Sequence, residues 1–169
     1  MTAFRCKLCA ALLAGIVFFP LPAAAEPSYS TAESATDPNF VAARKAIDAK
    51  DWKKAIEMLD KVQLVGSNGK RNARLSADVF NLLGFAYRQS GNYDEAFRHY
   101  KEALRIDAWH LGTHAYIGEA YLKTNNLPKA EEHLAELRRL CGERCEEYRK
   151  LAQEVASYRN MRVTETQTR

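Results

Sequence analysis

Between residues 39 and 127 the sequence has no proline. Proline removes a backbone donor and breaks helix interiors, so that whole stretch is free to be helical. Strict alternation of apolar and polar residues, the mark of a half-buried strand, is also missing, and no sheet is expected. Long hydrophobic runs are scarce. The conspicuous one is "LCAALLAGIVFF", Leu8 to Phe19, and Pro20 and Pro22 follow it. A membrane-spanning helix needs about 20 apolar residues, so stable membrane insertion is not expected once this segment is removed. Charge of one sign is missing too. Twenty-five Lys and Arg face 21 Asp and Glu, for a formal charge of +4. A nucleic-acid binder usually shows a strong basic patch, and no nucleic-acid partner is expected.

Recognisable catalytic patterns are absent as well. No Ser-His-Asp or Cys-His nucleophile arrangement can be argued. "GSNGKR", Gly66 to Arg71, has its glycines three apart, and Arg71 follows the lysine. A phosphate-binding loop needs G-x-x-x-x-G-K-[ST] between a strand and a helix, so this is a surface connection. The acid pairs Asp94–Glu95, Glu131–Glu132 and Glu146–Glu147 suit helix starts, where the positive end of the helix dipole favours carboxylates. An enzyme is not expected, and no cofactor is implied.

What is present begins with an address. Arg5 and Lys7 precede the apolar run, and Ala23 and Ala25 before Glu26 fit an A-x-A cleavage site. Residues 1–25 are therefore expected to be a secretory signal. The alternative is an uncleaved anchor. Loss of Arg5 and Lys7 would lower the formal charge from +4 to about +2. Residues 26–37, "EPSYSTAESATD", carry no apolar period and read as a flexible leader. Residues 163–169, "VTETQTR", read as a disordered tail. A secreted protein is implied, and a bacterial periplasm is the expected compartment.

Between leader and tail, one helical phrase returns three times: "KDWKKAIEMLDKV" from Lys50, "GNYDEAFRHYKEAL" from Gly91 and "NNLPKAEEHLAEL" from Asn125. Ala96 and Ala130 are 34 apart, and Ala55 lies 41 before Ala96. The extra seven residues fit in the connection Val65 to Ser76. A fixed period near 34 with two helices per period indicates a solenoid. The middle copy, 77–110, has Phe80, Leu83, Gly84, Tyr87, Ala96, Tyr100 and Ala103. The third, 111–144, has Ile117, Gly118, Tyr121, Ala130 and Leu134. In this pattern the chain resembles the tetratricopeptide repeat family. The first copy, 36–69, keeps mainly its second helix: Trp52, Ala55, Leu59 and Val62. The family's late proline is replaced by Ala108 and Gly142.

The expected fold is thus all-α: a right-handed α-solenoid of about three helix-turn-helix repeats within a domain spanning 38–162. Its last segment, 145–162, should be a capping helix. Cys145, Tyr148, Leu151, Ala152, Val155 and Tyr158 form its apolar stripe. Gly84 and Gly118, with Ala96 and Ala130, are expected to let the helices of a pair approach closely. Tyr87 and Tyr121 should fill the gap to the neighbouring pair.

The resemblance also implies a non-catalytic interaction scaffold of the cell envelope that takes a peptide or protein partner. The family's concave-groove positions fall on Asn81, Phe85, Arg88 and Gln89 in the middle copy. In the third they fall on Tyr116, Glu119 and Lys123, and in the first on Arg44. The set suits a segment with both apolar and charged contacts. The full cluster of Lys, Arg and Asn by which some members grip a terminal carboxylate is not found. A subunit stable only inside a larger envelope complex is a further reading.

Two further constellations could carry chemistry. Cys141 and Cys145 are spaced C-x3-C around Gly142. On one unbroken helix their β-carbons would lie about 5 to 6 Å apart, too far for an easy disulfide. If Gly142 ends the third repeat, a clip across the turn becomes feasible. Buried free thiols are a second reading. A redox or copper-handling accessory role is a third, and it needs another ligand, for which His133 is the sequence neighbour. The C-x-x-C spacing of thioredoxin-like proteins is absent from the chain beyond the signal. His110 and His114, four apart, could share a helical face as a metal pair, but two ligands make a weak site. Packing and solvent-edge roles are expected of them, and no metal.

Overall fold

The computed structural model describes residues 37–65 and 69–167. The expected signal at 1–25 and all of the leader except Asp37 lie outside these residues. Among them are seven helices: α1 Pro38–Asp48, α2 Trp52–Asp60, α3 Ala73–Gln89, α4 Tyr93–Ile106, α5 Leu111–Lys123, α6 Leu127–Cys141 and α7 Glu146–Gln167. The described residues contain no strand; Val65 and Arg71 form a single antiparallel bridge. The molecule is an all-helical solenoid.

The first six helices make three antiparallel pairs, and the same turn closes each pair. Lys50, Gly91 and Asn125 take the left-handed conformation at φ 56°, 84° and 58°. The next residue in each case reaches back five positions with its backbone N–H. Asp51 donates to the Ala46 carbonyl at 2.8 Å, Asn92 to Tyr87 at 2.9 Å and Asn126 to Tyr121 at 2.8 Å. This is the Schellman arrangement, which satisfies the carbonyls left over at a helix end. The same residues then start the second helix. Side-chain oxygens of Asp51, Asn92 and Asn126 accept from the backbone N–H three residues on, the N-cap bond that short polar side chains make. Asp37, Asn72 and His110 cap the first helices in the same way.

Small residues set the spacing within pairs. Ala55, Ala96 and Ala130 are fully buried. Gly84 of α3 faces Tyr100 of α4, and a β-carbon at 84 would stand 2.5 Å from that ring. Gly118 does something else. Its missing β-carbon makes room for Leu151 of α7, not for α6. The expectation that both glycines close a pair therefore holds for Gly84 and is corrected for Gly118, because the cap occupies that side of α5.

Tyr121 spans neighbouring pairs, with Phe97 of α4 at 4.7 Å and His133 of α6 at 5.9 Å between ring centres. Tyr87 stacks on His99 of its own pair at 5.2 Å and also packs against the core that includes Phe40, Leu59 and Val62 of the first repeat.

Two boundaries differ from the sequence reading. Helix α3 starts at Ala73 and so takes in the last four residues of the expected connection, because Asn72 caps it: its Oδ1 accepts from Leu75 N–H at 2.9 Å. Helix α7 runs past 162 to Gln167. No glycine or proline interrupts it, so its backbone has no reason to stop where the composition turns polar. Leu151 and Val155 of α7 are buried. Tyr158 donates its hydroxyl to Asn125 at 3.2 Å, and Arg159 pairs with Glu131 of α6 at 2.6 Å. The helix covers the last repeat. Among the described residues no helix is long and apolar enough to cross a membrane.

Candidate binding face on helices α1, α3 and α5

The eight groove positions divide by depth. Arg44 on α1, Gln89 at the end of α3 and Lys123 at the end of α5 are exposed, and their side chains make no hydrogen bond or ion pair with the described residues. Phe85, Tyr116 and Glu119 are half-buried. Asn81 and Arg88 are buried, at 7% and 8% exposure. Those two are therefore corrected from surface contacts to interior ones. Asn81 Oδ1 accepts from the Thr113 hydroxyl at 3.1 Å, a buried link from α3 to α5. Arg88 can be buried because Glu119, on the next first helix, neutralises it.

The floor of the face is aromatic. Trp52 meets Phe85 edge-on at 5.9 Å, Phe85 meets Tyr116 at 4.9 Å, and Tyr116 meets Tyr100 at 6.5 Å. The guanidinium carbon of Arg88 lies 5.3 Å from the Phe85 ring centre and 5.5 Å from that of Tyr116, within reach for cation–π attraction. Its Nη2 sits 2.7 Å from Glu119 Oε2. Among the described residues, Arg88 Nε and the Tyr100 hydroxyl are buried here without a hydrogen-bond partner.

Burial shifts the titrations of this cluster. It holds the Glu119 carboxyl above its ordinary range, although Arg88 pulls the other way. Burial also raises the Tyr116 and Tyr100 phenols. At one end Lys123 borders a cleft of about 360 Å³, lined also by Leu122, Glu154, Ser157 and Tyr158. This arrangement can hold an extended segment by stacking and by cationic contact. It sets no nucleophile beside a base.

The histidines do not pair as the i, i+4 spacing allows. His110 is the cap of α5. Its Nδ1 accepts the Thr113 N–H at 3.1 Å, so its proton is on Nε2, which donates to Asp78 of α3 at 3.0 Å. His114 is buried and turns to His133 of α6, with 3.0 Å between the two Nδ1 atoms. Its Nε2 donates to the Ala108 carbonyl at 3.1 Å. Nδ1 of His114 is then the acceptor, and His133 Nδ1–H the donor. Burial, then the neighbouring His114, lowers the His133 pKa from 6.5 to about 4. The sequence holds no sign of this contact, since the two residues lie 19 apart on different helices.

At the far end, α6 closes at Cys141. Gly142 turns the chain at φ 77°, a conformation glycine adopts freely. The Cys145 carbonyl accepts the Arg149 N–H at 3.1 Å, opening α7. Cys141 and Cys145 are joined as a disulfide across this turn, with Cα atoms 5.9 Å apart.

Comparison with known proteins agrees with this architecture. Tetratricopeptide repeat family models match residues 46–108 and 87–154. An uncharacterized protein, ycf37, of Guillardia theta is 43% identical over 56 residues, which cover 33% of this chain and 32% of that protein. The likeness thus spans about a third of the relative's length. Among solved structures, the APC/C hetero-tetramer Cut9-Hcn1 is similar, with a TM-score of 0.60 at 22% identity. The match covers 69% of this chain and 22% of that one, and at this identity it speaks for the fold. The chain is an α-solenoid that carries tetratricopeptide repeats.

Proposed function

We propose that the protein is a non-catalytic protein–protein interaction scaffold of the bacterial cell envelope, exported to the periplasm. It holds a peptide or protein segment along the face built by α1, α3 and α5. The repeats support the general role, because stacked helix pairs display side chains over an extended surface. The carrying observation is the pairing of Phe85 with Tyr116 at 4.9 Å, both partly exposed. Arg44, Gln89 and Lys123 are exposed on the same three helices, and their side chains make no hydrogen bond or ion pair with the described residues. Aromatic side chains with flanking cations fit a segment carrying apolar and acidic residues. The apolar run with its A-x-A site and the oxidised cysteine pair support the compartment, since disulfides persist outside the cytosol.

The test is charge reversal. In Arg44→Glu/Lys123→Glu, both substitutions are on exposed side chains, so the fold should be intact by circular dichroism. Capture of the partner by tagged protein should fall at least tenfold against wild type. Lys101→Glu, on α4, should capture as wild type does. Equal capture by the Arg44→Glu/Lys123→Glu protein would place binding elsewhere.

A further inference from the structure

The turn between α6 and α7 gathers three ligating side chains. Glu147 stands in the first turn of α7, two residues after Cys145. Its carboxylate and the two sulfurs all lie within 4.8 Å of one another. All three residues are half-buried, hence reachable from solvent yet partly shielded. His133, the ligand that the sequence offered beside the cysteines, is instead engaged with His114. We propose that the reduced turn is a binding site for a zinc-class divalent cation, with Cys141, Cys145 and Glu147 as its ligands.

The donor set argues for that class of ion. Thiolates are soft ligands and exclude Mg²⁺ and Ca²⁺, which take oxygen. A carboxylate is harder, and a borderline ion such as Zn²⁺ accepts both kinds in a tetrahedron. Three protein ligands leave the fourth position to water. Zn–S bonds of about 2.3 Å put two sulfurs about 3.8 Å apart. Once the bond is reduced, χ1 rotation can give that separation while the Cα atoms stay near 5.9 Å. The N-terminus of α7 adds a favourable field for the negative ligands.

The oxidised and metal-bound forms exclude each other. A dithiol reductant gives two electrons and two protons to the S–S bond and becomes a disulfide itself. Cys141 and Cys145 are then thiols. The cation displaces both thiol protons, which pass to solvent.

The test uses the full chain with Cys6→Ser/Cys9→Ser, so that only the two thiols of the turn remain. The protein is reduced with a dithiol, desalted without oxygen and titrated with Co²⁺, then Zn²⁺. One Co²⁺ per chain should bind with a thiolate charge-transfer band, and Zn²⁺ should remove the band with about two protons released per ion overall. The oxidised chain should show no band. Glu147→Gln, whose folding can be checked by circular dichroism, should bind at least about tenfold more weakly. Absence of the band in the reduced protein overturns the site. So does unchanged affinity in Glu147→Gln.

Discussion

Arg88 of α3 and Glu119 of α5 meet at 2.7 Å beneath the rings of Phe85 and Tyr116, and they join two successive repeats by an ion pair with little contact to water. Removing one partner strands the other charge in the interior. Glu119→Gln or Arg88→Ala should each lower unfolding free energy by about 3 kcal/mol. The apolar double replacement Arg88→Met/Glu119→Leu should recover most of that loss. Urea denaturation of the four proteins compares these losses. For the same reason, a binding defect caused by an Arg88 substitution would report on the core before it reported on a partner.

Acid should loosen the third repeat. His133 titrates near 6.5 when unfolded and near 4 when folded. A base whose folded pKa is depressed contributes stability above its unfolded pKa, and loses it as pH falls through 6.5 towards 4. About 2 kcal/mol should be lost by pH 5. Burial lowers the His99 pKa as well and acts in the same direction. The comparison that isolates His133 is therefore with His133→Phe. Its stability should fall less between pH 7.5 and pH 5 than that of the wild type, by about 2 kcal/mol. An identical pH slope in the variant would deny the effect.

Gly118→Ala should detach the cap. A β-carbon there would overlap the Leu151 side chain, which is fully buried. Overpacking of this kind costs about 1 to 3 kcal/mol. Amide exchange should accelerate first in α7, and Gly118→Ala/Leu151→Ala should regain part of the protection.

The left-handed turn positions predict a gain. Lys50 holds φ 56° in the place where the second repeat has Gly91. A side chain in that conformation costs about 1 kcal/mol, so Lys50→Gly should raise the melting temperature. The same change at Asn125 should help less, because asparagine tolerates this region.

These turns explain why so much of the fold was legible. Lys50, Gly91 and Asn125 keep the spacing of the repeats, as do the buried Ala55, Ala96 and Ala130. Each of these constraints is local, so the sequence carries it in plain sight. The face was legible only in part. Helical periodicity tells which side of α3 Arg88 lies on. How deep it lies depends on Glu119, 31 residues away and on another helix. The contact of His114 with His133 depends likewise on the rotation of α5 against α6. The role of Gly118 was misread because its position in the repeat matches Gly84, while the helix that covers it is α7. Helix-end residues such as Gln89 and Lys123 stay exposed, since beyond them the chain turns away.

Site-specific photocrosslinking tests whether a partner segment lies across α1, α3 and α5. A photoreactive residue is placed at Gln89 or Lys123 on that face, or at Lys101 on α4, and irradiated in intact cells. One common adduct is expected from positions 89 and 123 and none from 101. The same adduct from 101, or different products from 89 and 123, would contradict that placement.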